Sequence, residues 1–268
     1  MNLSLASENL KKEFPQHSEY IELQKTWNES VLQYLNRWVS SSSKVISIGS
    51  FLGAPEFVLS EQVESILCCD LDDFLPKKRP KNISFRQINL DSLNLNLPQD
   101  QHFDLCICVE VLEHLRWSPL PMLKWMRLHC NLLVISTPDN YEWPPVEDAP
   151  WTTNKHFRDI PFAEEGSIGN PKPMSHCKQY SQTEFIELLD VCGFRVIELQ
   201  RVGVGGHQMV AIAAARNEPP PPIFDFQLIC DSSKKYNVNL ITKALISIKD
   251  HGFVLTLKTI SAYLNRKN

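Results

Sequence analysis

The chain has 268 residues, a formal net charge of −4 at pH 7, 43% hydrophobic and 22% charged residues, 18 prolines and 9 glycines. This balance excludes wholesale disorder and fibrous architecture, and a pI near 6.1 excludes a global basic field for nucleic acid. The length allows one large domain with additions, or one domain with a small appendage.

The first fourteen residues carry Glu8, Lys11, Lys12 and Glu13 without an apolar signal core, and no run approaches a membrane span, so a cytoplasmic protein is expected. From 19 to 39, Ile21, Leu23, Trp27, Val31, Leu32, Leu35 and Trp38 recur at three- and four-residue steps, the stripe of an amphipathic helix. Residues 44–48 are a short β-branched run closed by Gly49, and 54–62 read as a helix. Apolar runs at 63–69, 83–90 and 103–109 follow as strand candidates, the first two ending at Asp70 and Asp91. The segment 110–115 is helix-like, 120–129 is a further helix, and 132–136 is a fifth strand stopped by Thr137-Pro138. Strands alternating with helices imply a doubly wound α/β fold, a largely parallel sheet covered on both faces.

Residues 141–176 break this rhythm with a proline-rich loop holding Tyr141, Trp143 and Trp151, longer than a connector needs and suited to a lid or substrate loop. Ser181 with Glu184 forms a capping box opening a helix at 182–191, which Gly193 ends. Strands at 195–201 and 208–215 are joined through Gly203, Gly205 and Gly206, a connection short enough for an antiparallel hairpin. The run of four prolines at 219–222 marks a domain boundary. Beyond it, 231–268 holds seven Lys or Arg against Asp231 and Asp250, with two amphipathic stretches broken at Gly252. The organisation expected is thus a helical segment at 1–43, an α/β domain at 44–218 and a basic helical appendage at 219–268. That appendage could touch an anionic membrane surface, its own domain or another subunit; the oligomeric state is left open. The eight cysteines include no C-x-x-C, and Cys68, Cys69, Cys106 and Cys108 fall in apolar runs, so they are expected to be buried thiols without metal.

In an open parallel sheet, ligands bind outside the carboxyl ends of the strands. Gly49-Ser-Phe-Leu-Gly53 follows the first strand, and Asp70 ends the second at the distance where an acidic side chain accepts ribose hydroxyls. Asp91 ends the third strand, and Cys108 to Glu110 end the fourth, facing the same crevice.

The ordered set Val45-Ile-Ser-Ile-Gly49, Gly53, Cys69-Asp70, Asn89-Leu-Asp91, Phe103-Asp-Leu-Cys-Ile-Cys-Val-Glu-Val-Leu-Glu-His-Leu115, Leu133-Val-Ile-Ser-Thr-Pro138 and His176 to Phe194 resembles the class I S-adenosylmethionine-dependent methyltransferases over about residues 44–216. The resemblance implies a Rossmann-like, seven-stranded sheet of order 3-2-1-4-5-7-6 with the last strand antiparallel. It implies S-adenosylmethionine as cofactor, with Gly49, Ser50 and Gly53 lining its methionine and ribose side and Asp70, followed by Leu71, holding the ribose. Asp91 would meet the adenine, and Cys108 and Glu110 would lie near the methionine moiety. Two positions depart from the family: Ser47 stands where an acid is usual and Phe51 where a middle glycine is usual, with Glu56 a candidate to replace the acid. His114 and His176 are the candidate general bases, since imidazole can be neutral near pH 7. The expected reaction is methyl transfer to an oxygen or nitrogen of a small molecule or glycan. The alternative is a silent methyltransferase fold acting as a binding or scaffold module. A nicotinamide oxidoreductase would need G-x-G-x-x-G after the first strand, which this chain lacks.

Overall fold

The computed structural model describes residues 3–92, 95–139, 155–169, 175–202 and 208–216. The chain divides into two units, Met1–Pro220 and Pro221–Asn268, and all described residues belong to the first. The glycine turn at 203–206, Trp143, Trp151, most of the loop 141–176, the proline run and the basic segment 231–268 lie outside the described residues.

Seven strands form one sheet: β1 (Lys44–Ile48), β2 (Ser65–Asp70), β3 (Ile83–Gln87), β4 (Phe103–Cys108), β5 (Cys130–Pro138), β6 (Phe194–Val202) and β7 (Gln208–Ala215). Their order is β3-β2-β1-β4-β5-β7-β6, with β7 antiparallel to both neighbours and the other pairings parallel. This is the Rossmann-like methyltransferase sheet expected from the sequence. The central strands are near-continuous apolar runs because both faces are covered: Val45, Ile46, Ile48, Leu105, Ile107, Leu133, Val134 and Ile135 are all buried. The chain runs outward from β1 to β3 and then returns to β4 on the other side of β1. A crevice therefore opens between the loops after β1 and β4.

Among the described residues five α-helices accompany the sheet: α1 (Leu3–Glu13), α2 (Ser18–Leu35), α3 (Ala54–Leu59), α4 (Leu120–His129) and α5 (Gln182–Val191). Helix α1 is an element the sequence reading lacked; its stripe of Leu3, Ala6 and Leu10 is buried. Helix α2 ends at Leu35 instead of reaching 39, and Trp38 is exposed. Helix α3 is shorter than expected, and its six residues, Glu56 among them, are all buried. The helix expected at 110–115 is a single 3-10 turn, Leu112–His114, because Glu110 sits at φ 55, outside helical space. Strand β5 continues through Thr137 and Pro138, where β7 pairs with it as far as Gln208.

At α5 Ser181 is the N-cap as expected, its hydroxyl accepting from the Glu184 amide at 3.2 Å, but the reciprocal half of the capping box is replaced because the Glu184 carboxylate turns to other partners. The Glu184 carboxylate also accepts from the Phe157 amide (2.7 Å) and pairs with the buried Lys178 ammonium at 2.9 Å. That ammonium donates to the Gln179 carbonyl as well, so the buried charge is compensated by a carboxylate and a carbonyl together. The seven cysteines among the described residues are buried and free, as expected. No helix among the described residues is long and apolar enough to cross a membrane.

Candidate functional site

A cavity of about 580 Å³ lies in the crevice at the carboxyl ends of β1 to β4, and α1, α2 and the 3-10 turn between them contribute Leu10, His17, Tyr20 and Ile21 to its wall. Its volume is in the range of small-molecule sites. The loop after β1 is shaped by two glycines in left-handed backbone, Gly49 at φ 73 and Gly53 at φ 71. A Cβ at Gly49 would stand 2.3 Å from Val111 Cγ2, so both conformation and space demand glycine. The Gly49 amide donates to the Cys69 carbonyl at 2.7 Å, drawing this loop onto the end of β2.

Asp70 ends β2 at the cavity. Its carboxylate accepts from the Phe51 amide (2.8 Å) and the Leu71 amide (2.6 Å), one on each oxygen, and each oxygen retains a further lone pair. Burial raises its pKa, and the two amides oppose that rise. Phe51, which replaces the usual glycine, adopts φ 42; its ring meets His17, Tyr20 and Phe74 at 5.2–5.5 Å between centroids. The bulky side chain thereby joins the loop to the N-terminal helices.

Ser47 and Glu56 resolve the other departure. Ser47 on β1 is 1% exposed, and its hydroxyl donates to Glu56 Oε1 at 2.5 Å. A carboxylate from α3 thus stands against β1 at Ser47, on a side chain that also lines the cavity. Glu56 Oε2 has no hydrogen-bond partner, and the buried Ser50 hydroxyl has only the Cys68 thiol beside it. Burial pushes the Glu56 carboxyl up to about 7, against the opposing Ser47 bond.

Asp91 lines the cavity and is 8% exposed. Its Oδ1 accepts from the backbone amides of Arg116 (3.0 Å) and Trp117 (3.2 Å), fixing the turn after the 3-10 segment. A Cβ on Gly169 would fall 2.8 Å from Asp91 Cβ, so the segment ending there passes directly over Asp91. Gly49, Ser50, Gly53, Asp70, Leu71 and Glu110 line the same cavity. Cys108 is fully buried at the end of β4, between the cavity-lining residues Ile107 and Val109, and does not itself line the cavity.

Glu110 and Glu113 brace the segments around the end of β4. Glu110 accepts from the Ser136 hydroxyl at 2.7 Å and the Gln208 amide at 2.8 Å; burial, then the Glu113 charge, holds its carboxyl well above the usual range. Glu113 is fully buried, with Oε2 accepting from the Thr137 hydroxyl at 3.2 Å. Its backbone carbonyl accepts from both Cys177 (2.6 Å) and Lys178 (3.1 Å). That double contact brings His176 beside His114, their rings edge to face at 5.0 Å. His114 lines the cavity and His176 does not. Burial lowers both imidazole pKa values, that of His176 to about 4 with help from His114, so both are neutral at pH 7.

Sequence reasoning missed the contribution of α1 and α2, since a helical stripe does not reveal what it covers, and the burial of Glu113, since hydropathy assigns glutamate to the surface.

No family model matches the chain, and no curated protein does. Among solved structures it is similar to the methyltransferase in a complex with the Haloferax volcanii Trm112 methyltransferase activator, with 12% identity, a TM-score of 0.54 and coverage of 80% of this chain and 97% of that one. It is also similar to an S-adenosylmethionine-dependent methyltransferase from Clostridium acetobutylicum, with 11% identity, a TM-score of 0.53 and coverage of 77% and 99%. At these identities the likeness establishes the fold.

Proposed function

We propose that the protein is an S-adenosylmethionine-dependent methyltransferase acting on an oxygen or nitrogen of a small molecule or glycan. The observation that carries this reading is the pairing, in one cavity at the sheet's switch point, of the amide-held Asp70 carboxylate with the unpartnered Glu56 Oε2 and the Ser50 hydroxyl. The cofactor presents complementary chemistry: vicinal ribose hydroxyls for Asp70, and a cationic amino acid end for Glu56 and Ser50. An unpartnered buried carboxylate is costly by itself and favourable beside an ammonium. The Gly49 turn admits a ligand against the backbone, and Asp91 and Leu71 would border the adenine.

When bound, S-adenosylmethionine supplies a methyl group on a sulfonium, a leaving group already activated for in-line displacement. This chain's residues then chiefly align and desolvate. Glu110, held by Ser136 and Gln208, fixes the wall after β4. His114, neutral and exposed to the cavity, is the group positioned to accept a proton from a hydroxyl acceptor, and His176 braces its ring. Glu56 offers a carboxylate beside Ser47, which favours the enzyme over the silent scaffold at that position.

Calorimetry with S-adenosylmethionine and S-adenosylhomocysteine tests the proposal. Binding is expected for the wild type, weakened about 10- to 150-fold in Asp70→Ala, as for loss of charge-assisted hydrogen bonds. Absence of binding at millimolar ligand, or unchanged affinity in the variant, would refute the assignment. Mass spectrometry after incubation with a metabolite extract and labelled cofactor identifies the acceptor.

A further inference from the structure

We propose that Glu113, His114 and His176 form a binding site for one divalent transition-metal ion at the edge of the cavity. One potential ligand atom from each of the three side chains lies within 4.8 Å of the other two. Two imidazole nitrogens and one carboxylate oxygen form a donor set suited to Zn²⁺, Co²⁺ or Mn²⁺.

Three independent observations point to an ion. First, Glu113 Oε1 is buried with no N–H or O–H donor directed at it, on a side chain only 1% exposed that packs against the Glu110 carboxyl, so two carboxyl groups meet there. A carboxylate oxygen in that condition is costly unless a proton or a cation reaches it. Second, His114 Nδ1 contacts the Ser175 carbonyl at 3.2 Å. A carbonyl only accepts, so Nδ1 carries the hydrogen and Nε2 presents its lone pair, the arrangement that orients ligating histidines in metal sites. That Nε2 lies 3.9 Å from Glu113 Oε1. The gap is too long for a hydrogen bond, and it is within the span of two ligand atoms across one ion at bonds of about 2.1 Å. Third, the ligands are preorganised. Glu113 and His114 share one 3-10 turn, and the Glu113 carbonyl holds the amides of Cys177 and Lys178, directly after His176.

Three protein ligands leave coordination positions open, as in catalytic rather than structural sites, and His114 carries the site to the cavity. Glu110 is engaged by Ser136 and Gln208 and stands outside the ligand set. Resting on the methyltransferase reading, the open positions would take an oxygen of the acceptor and favour oxygen over nitrogen acceptors. The acceptor hydroxyl then loses its proton to water, its oxygen forms the bond to the methyl carbon, and the sulfonium–methyl electron pair leaves with a neutral thioether. With the ion in place, both imidazoles serve as ligands, and acidification of the bound hydroxyl replaces proton abstraction by His114.

The test uses the full chain, freed of metal by chelator and titrated with Co²⁺ without cofactor, so that it stands apart from the methyl-transfer reading. Saturation at one equivalent, with d–d absorption reporting imidazole ligation and displacement by Zn²⁺, is expected. His176→Asn should weaken binding at least tenfold, whereas His156→Asn, at the separate His156–Glu187 pair, should not. Equal affinity in wild type and His176→Asn would overturn the site. Should that variant fail to fold, wild-type NMR with Mn²⁺ decides: of the eight histidines, the ring signals of His114 and His176 should broaden first, and earlier broadening of any other would overturn the proposal. Chelation that leaves oxygen methylation intact would overturn only the acceptor role.

Discussion

Replacing Glu56 by Gln removes one charge and keeps the side chain's size, so its effect isolates what burial does to that carboxyl. In the folded protein the group titrates at about 7, against 4.5 ordinarily. Because the folded pKa is raised, the native state binds more protons than the unfolded state between these values. Glu56 therefore contributes its full stability below about pH 4.5 and loses it as the pH rises through about 7. Over that gap, at about 1.4 kcal/mol per pH unit, the wild type should lose about 3 kcal/mol relative to Glu56→Gln. Denaturant unfolding of both proteins at intervals from pH 4.5 to 8 measures this as a difference that grows with pH. Any constant offset from exchanging carboxyl for amide cancels, and the other buried carboxyls titrate in both proteins alike. Parallel stability curves would refute the burial of an ionisable Glu56 against Ser47.

Gly49→Ala should destabilise the fold by about 2–4 kcal/mol, combining left-handed strain with overpacking on Val111. Denaturant unfolding should show partial recovery when Val111→Ala is added; a single variant as stable as wild type would refute the loop conformation. Removal of residues 219–268 should leave a folded protein, since the division of the chain falls at Pro220–Pro221. Cooperative melting of the truncated chain checks this, and insoluble product would refute it.

Much of the sheet was legible because several strands are short apolar runs stopped by a glycine or an acid, as β1 at Gly49 and β2 at Asp70. Strand order was not legible in that pattern and came with the motif resemblance, since periodicity describes a strand's faces and says nothing of its neighbours. Helix α1 escaped because its buried stripe is narrow and set among Glu8, Lys11, Lys12 and Glu13. The turn at Leu112–His114 escaped because a left-handed φ at Glu110 leaves no periodic trace. At the site, Gly49 and Asp70 were readable from their place at strand ends. Glu113 was not: what buries it is the hydrogen bond from Thr137 and the backbone ladder to Cys177 and Lys178, contacts between segments distant in sequence.

The T-shaped contacts of Phe51 with His17 and Tyr20 bind the turn after β1 to the start of α2. A chain cut after residue 43 would keep all seven strands and every acidic residue of the crevice, yet one side of the chamber would stand open to water. The aromatic residue at position 51 thus makes the amino-terminal helices part of the chamber's wall. A molecule filling the crevice would therefore rest against Leu10, Tyr20 and Ile21, in a segment that contributes no strand to the sheet.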